Sequence, residues 1–520
     1  MSRRIRLLSS IATLGLFACS LLACSSGSPF GGPDGGGPSL DRAAPRDGAM
    51  PPADLLPPGD LSVVPGAKDR VLLRGTVVTP QGVLSPGEVL LAADKLICVD
   101  TRCDDRSEAL GATIVNTGGM IYPGLVDAHN HTHYNYQPEW TPPQSFTNHN
   151  QWTANSAYAS EIKDPHNSIL NPKGIDGKGG CGKPSDCETG LCVAGACESL
   201  ACEMIKWGEI RAMLGGATMI QGTLSRACAN TLVRNADLSY HGLDGGKTVR
   251  TNVTGVSSIS NPEKLVDELK TGVTSAFIIH VAEGIDSKAR SEFVELENAG
   301  LLLPRTTVIH GTALGEPELQ KMKAAGMSLV WSPSSNLALY GKTNDIALAK
   351  KLGLNIALAP DWTINGADDL LDELKVLDKY NREHLSGLFS DREMFEMVTI
   401  NAAKALQFDT KIGSLEAGKH ADVLILRGRG KAPYRTLIEA GQAEIEGVFI
   451  AGKALFGSRA LMNHLKLNAF CETLDICGSS KIVCVKEGDG LDEKRDQTLA
   501  EIGTRLSGGF SRLLALPRCP

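Results

Sequence analysis

The chain has 520 residues, a formal net charge of −7 and a hydrophobic fraction of 42%. That length is enough for more than one folded domain. The acidic balance gives no reason to expect a nucleic-acid partner, because phosphate backbones attract clustered lysine and arginine.

The first 23 residues read as a bacterial signal peptide. Arginines at positions 3, 4 and 6 precede an apolar stretch, 11–23, that is too short to span a bilayer as a stable helix. The stretch ends in Leu-Leu-Ala-Cys24, which resembles a lipobox. We therefore expect cleavage before Cys24, lipidation of that cysteine and attachment to a membrane outside the cytoplasm. Ser25 lacks the aspartate associated with inner-membrane retention, which favours the outer membrane.

Residues 24–68 are predicted to be a flexible tether. The segment is rich in Gly, Pro, Ser and Asp and almost free of aromatic residues, so it cannot build a core. Short β-rich runs with turn residues follow between Val71 and Cys98. These runs predict strands of a sheet packed on one face.

An apolar run then ends in two histidines one residue apart. Side chains at alternate positions of a strand lie on the same face, so His129 and His131 would present two imidazoles to one point. A bound divalent metal requires such an arrangement. His133 extends the pattern, and we interpret it as a pocket residue rather than a ligand.

A cysteine cluster follows at positions 181, 187, 192, 197 and 202, within a Gly-rich segment. Of the 14 cysteines, Cys19 would leave with the signal peptide and Cys24 would carry lipid. The remaining even number suits disulfides in an oxidising compartment. A zinc knuckle is the alternative, although the usual Cys-x₂-Cys spacing is missing. Local bridges Cys98–Cys103 and Cys471–Cys477 are also predicted.

Three further β-rich runs each end at a residue able to bind metal or transfer a proton. They are 274–279, followed by His280 and Glu283; 305–309, followed by His310; and 355–360, followed by Asp361. Helical patterns lie between and after them, at Ser287–Ala299, Glu316–Ala325, Asp345–Leu352 and Ala367–Tyr380. Alternating strands and helices, with reactive residues at strand ends, predict an α/β fold: a (β/α)₈ TIM-type barrel with its active site at that face.

The predicted organisation has a barrel flanked by a small β-sandwich that both chain ends build. The sandwich comprises residues 69–119 and 412–460. The barrel comprises residues 120–411 and contains a Cys-rich insertion at about 164–203. A Cys-containing C-terminal extension covers residues 461–520.

Several motifs in this order resemble the amidohydrolase superfamily. The similarity is to its branch of cytosine, guanine and S-adenosylhomocysteine deaminases and triazine chlorohydrolases, and it covers roughly Asp69 to Leu461 outside the insertion. The matching motifs are Pro123–His131, His280–Glu283, His310–Gly311, Ser332–Leu337, Ala359–Asp361, Thr399–Leu406 and Ile412–Asp422.

The resemblance implies one divalent metal ion, with zinc preferred and iron possible. It places the metal ligands at His129, His131, His280 and Asp361, and the catalytic groups at Glu283, His310 and Asp361. Such a set leaves room for a water whose pKa the metal lowers to about 7. Asp361 would accept its proton, His310 would orient it and Glu283 would protonate the substrate. Loss of ammonia or another leaving group from an sp² carbon would follow.

The chain departs from the family pattern around the substrate. Trp331-Ser-Pro replaces the usual His-Cys-Pro, and Trp362 follows Asp361 where a small residue is usual. Tyr134, Trp331, Asn336 and Trp362 are candidate contacts to a small-molecule substrate, with ordinary packing as the alternative. No lysine stands at a convincing strand-four end, which favours a single metal. The other histidines, predicted to lie in loops or at the surface, are His149, His166, His241, His384, His420 and His464.

The leading hypothesis is hydrolysis of a non-peptide C–N bond, of the deaminase type, with an aminated heterocycle as the small-molecule substrate. A second hypothesis is hydrolysis of a cyclic amide or dipeptide-like substrate on the same barrel. A third is a surface binding protein that has lost the chemistry, against which every metal and acid/base position is still filled.

Overall fold

The computed structural model describes residues 59–520, apart from 175–179, 188, 194, 225, 231, 239–242, 244–247, 254, 429, 431, 489–495, 518 and 520. The predicted signal peptide, Cys24 with its lipidation, the tether up to residue 58, and His241 lie outside the described residues. No helix in the described part of the chain is long and apolar enough to cross a bilayer.

The strands are numbered along the chain. They are β1 Ser62–Val64, β2 Ala67–Thr79, β3 Gly82–Ala92, β4 Lys95–Asp100, β5 Ala112–Pro123, β6 Leu125–Asp127, β7 Cys192–Val193, β8 Ala196–Cys197, β9 Ala217–Ile220, β10 Arg234–Asn235, β11 Thr248–Asn252, β12 Thr274–Val281, β13 Thr306–His310, β14 Ser328–Trp331, β15 Asn355–Leu358, β16 Val423–Arg427, β17 Ile445–Ile450, β18 Lys453–Ser458, β19 Glu472–Ile476 and β20 Ser479–Val483.

The helices are numbered in the same way. They are α1 His149–Thr153, α2 Ser156–Tyr158, α3 Asp164–Leu170, α4 Ala201–Leu214, α5 Pro262–Thr271, α6 Ser287–Asn298, α7 Glu316–Ala324, α8 Pro333–Tyr340, α9 Ile346–Leu352, α10 Leu370–His384, α11 Asp391–Met397, α12 Ile400–Ala405, α13 Pro433–Ile438, α14 Arg459–Leu465 and α15 Leu499–Gly509.

A ten-stranded sheet joins the two ends of the chain. Its order is β19-β20-β18-β17-β16-β5-β2-β3-β4, with β1 paired to β5. At its centre β5 pairs in parallel with β2 and antiparallel with β16, which lies about 300 residues later in the chain. The C-terminal extension is not separate, because β19 and β20 continue this sheet.

The predicted tether extends too far toward the C-terminus. Ser62–Val64 already forms β1, in antiparallel register with Ile114–Asn116 of β5, and β2 begins at Ala67. The apolar residues Val63 and Val64 give this short segment β propensity despite the neighbouring glycines and prolines.

Apart from the antiparallel pair β7-β8, the other described strands of this α/β fold are eight parallel strands. One sheet has the order β10-β9-β6 and another β11-β12-β13-β14-β15. A parallel bridge between Asn130 and Asp361 links the continuation of β6 to that of β15. Among the described residues no ladder joins β10 to β11, so closure into a barrel stays a prediction.

The helices predicted between these strands are present as α6, α7, α9 and α10. The last begins later than predicted, because Asp369 forms its N-terminal cap. The Asp369 side chain accepts a hydrogen bond from the backbone N–H of Asp372 over 3.0 Å. Such a cap satisfies an N–H group that has no partner inside the helix.

Disulfides occupy the described cysteines. The predicted bridge Cys98–Cys103 is confirmed. In the cysteine cluster the sulfurs of Cys181, Cys187 and Cys192 lie close together, but each belongs to a disulfide, which leaves no thiolate for zinc. The full set is Cys98–Cys103, Cys181–Cys192, Cys187–Cys197, Cys202–Cys228, Cys471–Cys484 and Cys477–Cys519.

The predicted bridge Cys471–Cys477 is wrong. Strands β19 and β20 form an antiparallel hairpin in which Glu472 is opposite Val483, so the flanking Cys471 and Cys484 face each other with Cα atoms 4.2 Å apart. Cys477 lies at the other end of the hairpin, in its turn, and bonds to Cys519.

A buried ion pair joins the parallel strands to the ten-stranded sheet. Arg234 of β10 donates to both carboxylate oxygens of Asp422, which immediately precedes β16, over 2.7 and 3.0 Å. Asp422 also accepts the backbone N–H of Ala451 over 2.8 Å. Both charged side chains are only 2% exposed, so neither charge has water to replace its partner.

We expect Asp422→Ala to lower the free energy of unfolding by about 3–5 kcal/mol, because the Arg234 guanidinium would be left buried without its counter-charge. Urea titration of the purified chain measures this change. The control is Glu297→Ala, which breaks the exposed pair of Glu297 with Lys321 and should cost less than about 1 kcal/mol. Equal effects of the two substitutions would contradict the prediction.

Peptide mapping of the unreduced protein should recover Cys471 linked to Cys484 and Cys477 linked to Cys519. The hairpin register determines this pairing. A peptide containing a Cys471–Cys477 bond would show that the register is different.

Candidate metal centre

Three strands bring their C-terminal ends to one place. His129 and His131 follow β6, His280 lies near the end of β12, and Asp361 follows β15. The backbone N–H of His131 donates to the carbonyl of Asp361 over 2.9 Å, which joins the first of these segments to the last. The structure therefore brings together the four predicted ligands.

The side chains of these residues converge. His129 Nε2 lies 2.9 Å and His131 Nε2 3.3 Å from Asp361 Oδ1. The His280 ring centroid is 4.7 Å from that of His129 and 5.5 Å from that of His131. In each of two sets, His129 with His280 and His310, and His129 with His131 and Asp361, one ligand atom per residue lies within 4.8 Å of the others.

Protonation favours metal binding at this point. Burial lowers the pKa of His129, and burial together with the neighbouring histidines lowers that of His280 well below its usual value. Burial raises the pKa of Asp361, but His129, His131 and His310 outweigh it and hold the pKa well below its usual value. Neutral imidazoles and an ionised carboxylate are the forms that bind a divalent metal.

The residues fit such an ion. His129, His280 and Asp361 are buried, at 1%, 5% and 3% exposure, so little water competes for their ligand atoms. The donor set of three imidazoles and one carboxylate also matches zinc chemistry.

Asp127 orients the His-x-His segment through hydrogen bonds on the side away from the pocket. Its carboxylate accepts the side-chain amide of Asn130 over 2.6 Å and the backbone N–H of His129 over 3.2 Å. Burial raises the pKa of Asp127 to about 8, against the effect of these two hydrogen bonds. It therefore orients the segment without itself facing the pocket.

Asp361 and His310 both have left-handed backbones, with φ of 69° and 61°. Non-glycine residues adopt this region rarely and at a cost. Ser335 of α8 donates to Asp361 Oδ2 over 2.6 Å, and the Asn344 side chain donates to the His310 carbonyl. These contacts hold the two side chains toward the centre.

His310 presents one ring nitrogen to the pocket. Its Nδ1 donates to the amide oxygen of Asn336 over 3.0 Å, so that Nε2 is the nitrogen that faces the pocket. That nitrogen lies 4.0 Å from both Glu283 Oε2 and Asp361 Oδ2. It can therefore interact with a group placed between the two carboxylates.

Glu283 is fixed through one of its oxygens. The Tyr340 hydroxyl donates to Oε1 over 2.7 Å and in turn accepts the Trp152 indole N–H over 2.9 Å. Oε2 is left toward His310. The carboxylate thus has one oxygen held by a donor and one available for a proton.

A cavity of about 450 Å³ opens onto this centre. Four aromatic side chains line one wall: Tyr134, Trp152, Tyr158 and Trp362. The Trp362 ring lies 4.9 Å from that of His131, so the wall begins beside the ligands. Tyr134 and Trp362 were predicted here, and His133 also lines the cavity.

Two predicted substrate residues lie elsewhere. Asn336 is buried behind His310, where it also donates to Asn344 over 3.0 Å. Trp331 is buried in the core near Phe389, and its indole N–H donates to Thr343 over 2.6 Å. Alternate strand residues point to opposite faces: Val330 packs with Ile309 inside the parallel strands, so Trp331 points toward the helices. Neither residue lines the described cavity.

Three histidines predicted at the surface are in fact enclosed. His149 lines the cavity, with its side chain 16% exposed. His166 is buried and stacks on Tyr134 with ring centroids 3.8 Å apart, and His420 is buried beside Asp94. His384 and His464 are exposed as predicted. Trp152 and Tyr158 were also missed; their only signal was an aromatic-rich stretch soon after the His-x-His pair.

Residues 266–455 match the profile of the amidohydrolase family. The chain is 29% identical over 171 residues to the 5'-deoxyadenosine deaminase of Methanothermobacter thermautotrophicus, a match covering 31% of this chain and 39% of that protein. The chain spans less than half the length of the curated relatives it matches first.

Two solved structures share the fold. The triazine hydrolase from Arthrobacter aurescens aligns with a TM-score of 0.57 at 17% identity, covering 74% of this chain and 94% of that one. An adenosine deaminase from Xanthomonas campestris, solved with bound zinc, aligns with a TM-score of 0.52 at 18% identity, covering 74% and 92%.

The centre and its strands define an α/β fold with a site suited to a divalent metal. More narrowly, residues 266–455 are similar to the amidohydrolase family, and the relatives that the chain matches include deaminases. At these identities the structural likeness establishes the shared fold and no shared substrate.

Protein purified with zinc should contain about one equivalent of the metal, and His280→Asn should lose most of it because one imidazole of the set is removed. Zinc at 100 times its dissociation constant should stabilise the wild-type chain by about 2.7 kcal/mol. Elemental analysis and thermal unfolding measure both effects. His384→Asn, on the exposed face of α10, is the control; full zinc content in His280→Asn would contradict the assignment.

Proposed function

We propose that this protein is a metal-dependent hydrolase that cleaves a non-peptide C–N bond by a deaminase-type reaction. The convergence of His129, His131, His280 and Asp361 beside Glu283 supports the proposal most directly. A site that only bound a ligand would not require Glu283 and His310 to face the same space beside the metal ligands.

In the proposed site three imidazoles and Asp361 would hold one divalent ion, with zinc preferred. When bound, such an ion supplies a water of lowered pKa and polarises an electrophile. Burial of the donors would strengthen this effect, because charges interact more strongly where water is excluded.

The chain's own residues would then move protons. Asp361 Oδ2 and His310 Nε2 face the same space, so they can accept and orient the proton of an attacking water. Glu283 Oε2, which accepts no hydrogen bond from an O–H group of the described residues, would deliver that proton to the nitrogen that leaves. General acid–base groups need this placement within reach of the reacting atoms.

The aromatic wall favours a planar substrate. Trp362 and Trp152 have ring centroids 5.8 Å apart and both line the cavity, and stacking on such rings suits a flat heterocycle. We therefore propose an aminated heterocycle, in keeping with the names of the deaminase and triazine hydrolase relatives. In this proposal the eight parallel strands close as a (β/α)₈ barrel with the substrate site at their C-terminal ends, beside a β-sandwich built on the ten-stranded sheet.

We further propose that the protein acts outside the cytoplasm, anchored to a membrane, with a preference for the outer membrane, by a lipid on Cys24. The lipobox-like sequence supports the anchor, and the disulfides of the described part suit an oxidising compartment.

Glu283→Gln should retain zinc but lower kcat for deamination by about 10²- to 10⁴-fold, because the amide cannot carry the proton. Zinc content and ammonia release, measured on the same preparation, check this. Glu297→Gln, an exposed glutamate of α6, is the matched control. Unchanged turnover in Glu283→Gln would refute the assigned role.

A substrate screen separates the remaining hypotheses. Ammonia release from aminopurines, aminopyrimidines or aminotriazines is the expected outcome, and hydrolysis of lactams or dipeptides without ammonia release would support the cyclic-amide alternative. A zinc-loaded chain that binds a heterocycle and hydrolyses none of these compounds would support a binding function.

A further inference from the structure

His149 joins two carboxylates at the edge of the cavity. Its Nδ1 lies 3.6 Å from Glu283 Oε2, the oxygen left free by Tyr340, and its Nε2 lies 2.8 Å from Glu292 Oε1. Glu292 belongs to α6. The three side chains thus form a line from the candidate proton donor to the partly exposed surface, because the His149 and Glu292 side chains are 16% and 14% exposed.

The backbone holds this line in register. The backbone N–H of His149 donates to the Glu283 carbonyl over 3.1 Å, and the backbone N–H of Ala282 donates to Glu292 Oε2 over 2.8 Å. The side-chain amide of Asn148 donates to Asp286, the cap of α6, over 2.6 Å. Helix α1 is therefore fixed to the loop that carries Glu283.

Gly284 makes this docking possible. Asn148 forms an antiparallel bridge with Gly284, whose φ is 147°. A Cβ atom at this position would lie 2.4 Å from the Thr147 carbonyl oxygen. Only glycine lets the two backbones approach so closely.

The charges around His149 favour its protonated form. The hydrogen bond to Glu292 raises the pKa of His149, and the charge of Glu283 adds to this, against the opposing effects of burial and of Lys288 on α6. An imidazole that lies between two carboxylates, one near each ring nitrogen, can accept a proton on one side and release one on the other.

We propose that His149 is a positioning residue that relays protons between Glu283 and solvent through Glu292. The inference rests on the proposed deaminase-type function. In that reaction the substrate amine and water, with one proton from solvent, give the carbonyl product and ammonium. The C–N bond breaks as Glu283 protonates the leaving nitrogen. A proton that enters at Glu292 is first taken up by Nε2 of the neutral His149, and the imidazolium so formed passes its Nδ1 proton to Glu283 Oε2, which leaves a neutral imidazole.

His149→Gln should lower kcat about 10- to 100-fold, the range found when a group supporting a catalytic residue is removed, with KM and zinc content unchanged. The decline of kcat as pH rises through the pKa of His149 should disappear, and imidazole in the buffer should restore part of the rate. Glu292→Gln should lower kcat in the same direction. His384→Gln is the control.

Unchanged kcat in both variants, or a loss that follows lost zinc and is not restored by imidazole, would overturn the relay. A second measurement does not depend on finding a substrate: NMR of ¹⁵N-histidine in the zinc-loaded chain. The His149 titration should shift to lower pH in Glu292→Gln and also in Glu283→Gln. Insensitivity to both substitutions would overturn the relay, whereas these shifts with no ammonia release from any substrate would refute only the proposed function.

Discussion

The contact of one carboxylate with two histidines organises this molecule. Asp361 interacts with His129 and His131, and its carbonyl accepts the N–H of His131. It thereby ties the continuation of β15 to that of β6 at the end where the strand C-termini meet. Burial alone would neutralise such a carboxylate, so its charge depends on the imidazoles around it. The contacts that keep Asp361 ionised therefore also hold the ends of β6 and β15 together.

Outside this cluster, each reactive group is oriented by a residue from another element. Asn336 of α8 sets the tautomer of His310, Tyr340 of the same helix holds one oxygen of Glu283, and α1 places His149 at the other. Helix α8 thus supports two reactive side chains, although it contributes no lining residue to the described cavity. Precise support of this kind is what proton transfer requires.

Features local to a strand could be predicted from the sequence. The sequence predicts the strand before His129 and the ends of β12, β13 and β15. Each of these strands is a short apolar run followed by a polar residue, and this pattern is visible without knowledge of distant contacts. His149 was not, since its partner Glu292 lies far along the chain and the two meet only when α1 docks on the Gly284 loop. Trp331 was predicted to contact substrate from its place in the family motif. Because side chains alternate along β14, it points toward the helices and not into the cavity. The Cys471 pairing likewise depended on a hairpin register that spacing alone does not determine.

The ten-stranded sheet has a consequence for how the chain reaches its native state. The central strand β5 can pair with β16 only after that later strand has been synthesised. His129 likewise contacts Asp361 across a separation of 232 residues. Contacts so distant in sequence slow the search for the native topology. An emerging N-terminal portion holds the His-x-His pair without Asp361, so the candidate metal centre can assemble only after residue 361 has been synthesised.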